Sequence, residues 1–153
     1  MNTKHKVAIG GAIGLIVGSF LEWASIDTPF GSFSVSGMDG DGVITVSVGI
    51  IALVLFTLVK RRAGTIAGVV FAAIGAAIAA IDIADVKSNI DDIAAESEGL
   101  ATASVGIGLW LCLAGALVAV VGGILSILEQ RGQPAATQSA PTGSPLPPPP
   151  PPQ

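Results

Sequence analysis

Glu22 and Asp82 each close a long uncharged run, residues 7–21 and 63–81. A carboxylate deep in hydrocarbon is a functional site by default, because it must be hydrated, paired or protonated there. Depth decides between those outcomes. On a helix, Val7 to Glu22 is a rise of roughly 22 Å and Thr65 to Asp82 roughly 25 Å. Both acids therefore fall near one outer boundary, within reach of water. As a pair they would make a cation or proton site only if their helices adjoin. The remaining inventory is sparse. His5 is the only histidine, and Cys112, the only cysteine, lies in an apolar run and reads as a small packing residue. A zinc set or a nucleophilic triad of the Cys-His or Ser-His-Asp kind cannot be assembled from these. No span has an ionisable side chain at its centre, which argues against a proton pump, an ion-coupled transporter or a voltage sensor. The expectation is a protein with no catalytic residues, no cofactor and no bound metal. The Asp39-Gly40-Asp41-Gly42 stretch begins like a calcium loop but lacks the third Asp or Asn and the closing Glu. It reads as a glycine-rich turn with Asp41 near the N-cap of the next helix.

The elements that must position these residues are apolar. Charged residues make up 12% of the 153-residue chain, hydrophobic residues 51%, and mean hydropathy is +0.77. A soluble domain carries about 25% charged residues, so lipid is the expected solvent. The pattern predicts an all-α fold, a four-helix transmembrane bundle with a disordered Pro-rich C-terminal tail. A basic leader covers residues 1–6. The membrane domain covers 7–128, with helices at about 7–24, 43–59, 64–83 and 103–128. The third helix extends outward to about residue 96. Two apolar runs flanking Lys60-Arg61-Arg62-Ala63-Gly64 read as a helical hairpin with a cytoplasmic turn. A secretory signal also starts with a basic leader and an apolar run, but no small-residue pair suited to cleavage follows Phe20, and Glu22-Trp23 interrupts the region. The first helix therefore reads as retained.

Small residues mark the faces on which these helices meet. Gly10, Gly14 and Gly18 step by four on the first helix. Gly68, Ala72 and Ala76 do so on the third, within a longer series from Gly64 to Ala84. Gly108, Gly115 and Gly122 step by seven on the fourth. A face without side chains lets another helix approach closely. That serves packing within the bundle or, as the other reading, contact with a second copy. Trp23 reads as an interfacial anchor and Trp110 as an outer one. The segments 27–42 and 99–104 read as polar loops, although Phe33 and Val35 alternate with serines in the first. Ile83, Val86, Ile90 and Ile93 form one stripe on the extension of the third helix, opposite an acidic face. Something must cover that stripe: the preceding loop, the lipid interface or a partner.

Charge fixes sidedness. With four spans, six of the seven basic residues fall on one side, together with Glu129 alone among the acids. The other side carries only Lys87 against ten acids, a net charge of −9. By the positive-inside rule both termini are cytoplasmic. An acidic outer surface attracts cations and repels anionic partners, so no nucleic acid is expected to bind. Residues 129–153 end in a proline run, which adopts polyproline II and is a candidate ligand for a protein groove that reads such segments.

Trp23, the Gly37-Met38-Asp39-Gly40-Asp41-Gly42-Val43-Ile44-Thr45 stretch and the Gly106-Ile107-Gly108-Leu109-Trp110-Leu111 stretch resemble those of small four-span membrane proteins of unknown function in high-GC Gram-positive bacteria. The likeness covers about residues 7–128. It implies a four-helix bundle in the cell membrane and brings no site residues with it. The expected function is a non-enzymatic interaction or scaffold protein. Its partners would be the lipid bilayer, a protein held by the Pro-rich tail or the acidic outer helix, and a second copy of the chain. The alternative is a small channel or transporter subunit with Glu22 and Asp82 at an outer mouth.

Overall fold

The computed structural model describes residues 3–59, 62–96 and 101–132. Among these residues four helices account for most of the chain: α1 (Thr3–Phe20), α2 (Gly42–Leu58), α3 (Arg62–Glu96) and α4 (Ile107–Gly132). Each packs against two neighbours, in the cyclic order α1, α2, α3, α4. Lys4 pairs with Glu129 at 3.5 Å, and a Cβ on Gly18 would meet Cys112, so α1 and α4 run antiparallel. The predicted Pro-rich tail lies outside the described residues.

The expectation of a helical fold with four helices holds, but the chain is not wholly α. Three strands, β1 (Glu22–Thr28), β2 (Gly31–Ser36) and β3 (Thr102–Val105), form an antiparallel sheet in the order β2-β1-β3. The first helix therefore ends at Phe20, not near residue 24, and both expected loops contain strand. Local sequence explains the switch. From Ala24 to Asp27 and from Ser32 to Ser36, apolar and polar residues alternate with the two-residue period of a strand. Pro29 and Phe30 make the reversing turn, and Gly31 follows with φ of +146°, where a side chain would be strained. Alternation puts Ala24, Ile26, Phe33, Val35, Ala103 and Val105 on one face. The serines and Asp27 occupy the other, where Ser25 Oγ lies 2.9 Å from Ser104 Oγ.

α3 runs unbroken for 35 residues, including the extension predicted to reach about residue 96. From Gly68 onward its buried positions are Gly68, Ala72, Gly75, Ala79 and Ile83, and the partly buried Val86, Ile90 and Ile93 continue them. That mixture of three- and four-residue steps holds one face in place, whereas a strict four-residue step turns about 40° further each time. That drift is why Ala80 and Ala84 are exposed. The stripe predicted to need a cover receives one at its base, where Val86 and Val105 pack on the same core cluster.

The interior is built from small residues. Ala8, Ala12, Ala52, Ala72, Ala79, Ala116 and Ala119 are fully buried, and Leu15 and Phe56 fill the two layers between them. Large apolar side chains point outward on every helix: Val17, Ile50, Val70 and Val121 are each about half exposed.

Candidate functional site: an acidic cleft beside the sheet

Beside the β1–β2 pair, α3 leaves an open cleft of about 220 Å³. Three elements build it. Trp23, Ala24, Val35 and Ser36 come from the sheet, Gly40 and Asp41 from the turn into α2, and Asp82, Asp85, Val86 and Asn89 from α3. The α3 spacing of three and four residues keeps its contributors on one helical face.

Each wall is held by a specific local arrangement. Register slips between Glu22 and Ala24, a bulge that sets Trp23 apart from the regular pairing. The Trp23 indole nitrogen donates to the Gly18 carbonyl at 3.2 Å, and the ring is 93% buried, given its exposure of 7%. Trp23 is thus a buried prop of the sheet, which corrects its reading as an interfacial anchor. Gly37 lies against the ring edge, where a Cβ would come within 2.5 Å. Asp39 fastens the turn: its Oδ2 accepts from the Ser36 amide at 3.1 Å and the Ser36 hydroxyl at 2.9 Å. Asp41 does occupy the N-cap position of α2, but its side chain makes no capping hydrogen bond. Its carboxylate instead belongs to the cleft wall.

The lining therefore carries three carboxylates and no basic side chain. Asp82 Oδ2 is buried and has no hydrogen-bond partner. Among the described residues no group of three or more metal-ligating side chains converges on a point. Lys87, the only basic residue on the expected outer side, lies 6.0 Å from the centre of the Trp110 ring, within cation–π range.

Of the two acids singled out from the sequence, only Asp82 lines this cleft. Glu22 is exposed at the start of β1, opposite Ser36, and is absent from the lining. The chain leaves its helix one residue earlier, so Glu22 is placed by a strand rather than by a helix adjoining α3. Asp41, Asp85 and Asn89 were legible as polar residues but not as neighbours. The available signal was the helical spacing of Asp82, Asp85 and Asn89.

The helix-packing residues separate in an informative way. Gly108, Gly115 and Gly122 all face α1: a Cβ on each would lie 2.7, 2.5 and 2.7 Å from the nearest α1 or Glu22 backbone atom. On α1, Gly18 is equally tight against Cys112, and Gly14 is at ordinary contact with Gly115. Gly10 has nothing within 4 Å, and the intimate position is Gly11, against Gly115 and Ala119. Gly68 makes room for the Phe56 ring, Ala72 is fully buried and Ala76 packs partly buried at the core's edge. Seven-residue steps drift by only about 20° and so match along two helices. The pair Gly11 and Gly18 answers Gly108, Gly115 and Gly122 in that period.

No protein family, no curated protein and no solved structure matches the chain. Among the described residues two helices, α3 and α4, are long and apolar enough to cross a membrane, and α2 is a shorter apolar helix of 17 residues.

Proposed function

We propose that the chain is a multi-pass protein of the cell membrane that crosses it four times, with both termini cytoplasmic, and that it works by binding another protein rather than by catalysis. The observation that carries the membrane reading is the inverted packing. Glycine and alanine fill the inside while Val17, Ile50, Val70 and Val121 face outward. Water would drive those side chains inward, whereas in lipid burying them gains little and close backbone packing gains more. α3 spans roughly 52 Å, well beyond a hydrocarbon core of about 30 Å. Its excess carries Asp85 to Glu96 and the sheet clear of the outer surface. Retention of α1 is supported by its fit on α4, whose glycine face would otherwise be bare.

In this reading the projecting sheet, with its acidic cleft, is the outer docking surface, and residues 133–153 are available to a second partner inside. The channel or transporter alternative has less support. Glu22 does not line the cleft with Asp82, and fully buried Leu15 and Phe56 occupy the interior between the helices. The test is crosslinking in intact cells followed by affinity purification of the full chain in mild detergent. A protein partner is expected, and it should be lost when Asp41, Asp82 and Asp85 are changed together to asparagine. Recovery of no partner, with or without residues 133–153, would overturn the proposal.

A further inference from the structure

β2 is the edge strand of the sheet, and among the described residues nothing pairs with its outer side. The hairpin register shows which backbone groups that leaves. Thr28 and Gly31 flank a two-residue turn and can pair only by exchanging both hydrogen bonds directly, so bonded pairs recur at Ile26–Phe33 and Ala24–Val35. Ser32 and Ser34 are the intervening residues. Their amides and carbonyls point away from β1, towards open space.

The strand carries none of the usual safeguards of an exposed edge. Gly31–Ser36 contains no charge and no proline, and its only irregularity is at the far end, opposite Glu22–Ala24. The sheet's apolar face is also incomplete on this side. Val105 of β3 packs on the core, whereas Phe33 is 66% and Val35 46% exposed. Both lie on the face turned towards α3, with α3 too far inward to cover them. Val35 is at the same time a wall of the cleft, so the apolar shelf leads directly to Asp41, Asp82 and Asp85.

We propose that β2 accepts an extended segment of a partner protein as a fourth strand, one that alternates apolar residues with at least one lysine or arginine. Main-chain bonds to Ser32 and Ser34 would supply affinity that does not depend on sequence, and side-chain pockets would supply selectivity. Apolar residues of the incoming strand would cover Phe33 and Val35. A basic residue at the Ser36 end would lay its aliphatic stem along the shelf and place its charge among the three carboxylates. Charge complementarity selects this occupant over a second copy: two copies of so acidic a surface would repel.

The inference rests on the interaction reading above and specifies its partner. The test is panning of a displayed library of random octapeptides against the full-length protein in lipid nanodiscs. Recovered peptides are expected to alternate apolar and basic residues. A synthetic representative should bind about 10-fold more weakly to the variant in which Asp41, Asp82 and Asp85 are asparagine. Its binding should be lost when its edge-facing amides are methylated, and when the protein carries Ser34→Pro. Proline at position 34 removes an N–H that β1 does not use, and persistence of slow amide exchange at Phe33 would show that the hairpin survives. Peptides without basic bias, binding that withstands Ser34→Pro, or a disulfide-linked dimer of Ser34→Cys protein would each overturn strand addition. If they do so while crosslinking in cells still recovers a partner, only this inference falls; if crosslinking also recovers nothing, the interaction reading falls with it.

Discussion

Gly10 and Gly11 are neighbours in sequence with opposite roles, and the contrast is testable at single residues. Gly11→Ala places a methyl into the Gly115 and Ala119 backbone, so the helices must separate. Overpacking of this kind costs about 1–3 kcal/mol. Gly10→Ala meets nothing within 4 Å and should leave stability unchanged or slightly raised, since alanine is the better helix former. Thermal unfolding in detergent, read by a thiol-reactive dye on buried Cys112, should give a lower midpoint for Gly11→Ala alone. The same assay tests Trp23. Trp23→Phe keeps an aromatic ring in the bulge but loses the bond to Gly18, at about 1 kcal/mol.

Each element depends on what lies against it. The sheet has only three strands, too few to be secure without a hydrophobic backing, and α3 supplies that backing through Val86 beside Val105. Val86→Asp should therefore strip amide-exchange protection from β1 and β3 while α1 and α4 keep theirs. Loss of protection along the whole bundle would show that sheet and helices are one cooperative unit. At the opposite end, His5 Nε2 donates to the Phe56 carbonyl at 2.6 Å, satisfying one of the last four carbonyls of α2. The His5 ring also meets the Phe56 ring edge-on at 6.2 Å. His5→Ala should speed exchange at the C-terminal turn of α2 and lower stability by about 1 kcal/mol. His5→Gln, which keeps a donor, should recover part of the loss.

For the whole molecule, the distribution of charge becomes a prediction of topology. In a Cys112→Ser background, a cysteine at Ser34 should react with a membrane-impermeant maleimide on intact cells. Cysteines at Arg62 and Ser144 should react only after permeabilisation. Labelling of Arg62 and Ser144 on opposite sides would be incompatible with an even number of spans between them. Salt offers a check on the outer surface, because binding that depends on exposed carboxylates weakens as ionic strength rises and the screening length shortens. Partner recovery that is indifferent to salt would place the interaction elsewhere.

Helices were legible in the sequence because their apolar runs are long, and the glycine positions along α4 announced where its backbone would meet that of α1. Trp23 to Ser36 was harder to read. Its two-residue alternation covers only a few residues on each strand, and pairing with Thr102–Val105 joins segments almost eighty positions apart. Composition and local period are properties of neighbours along the chain, so they determined the apolar helices and the places of the small residues along them. Tertiary structure alone decided that Glu22 stands outside the cleft, that Asp41 and Asp85 join Asp82 in it, and that Gly11 rather than Gly10 meets α4. These outcomes follow from rotation about a helix axis and from strand register, which are fixed only when the elements pack.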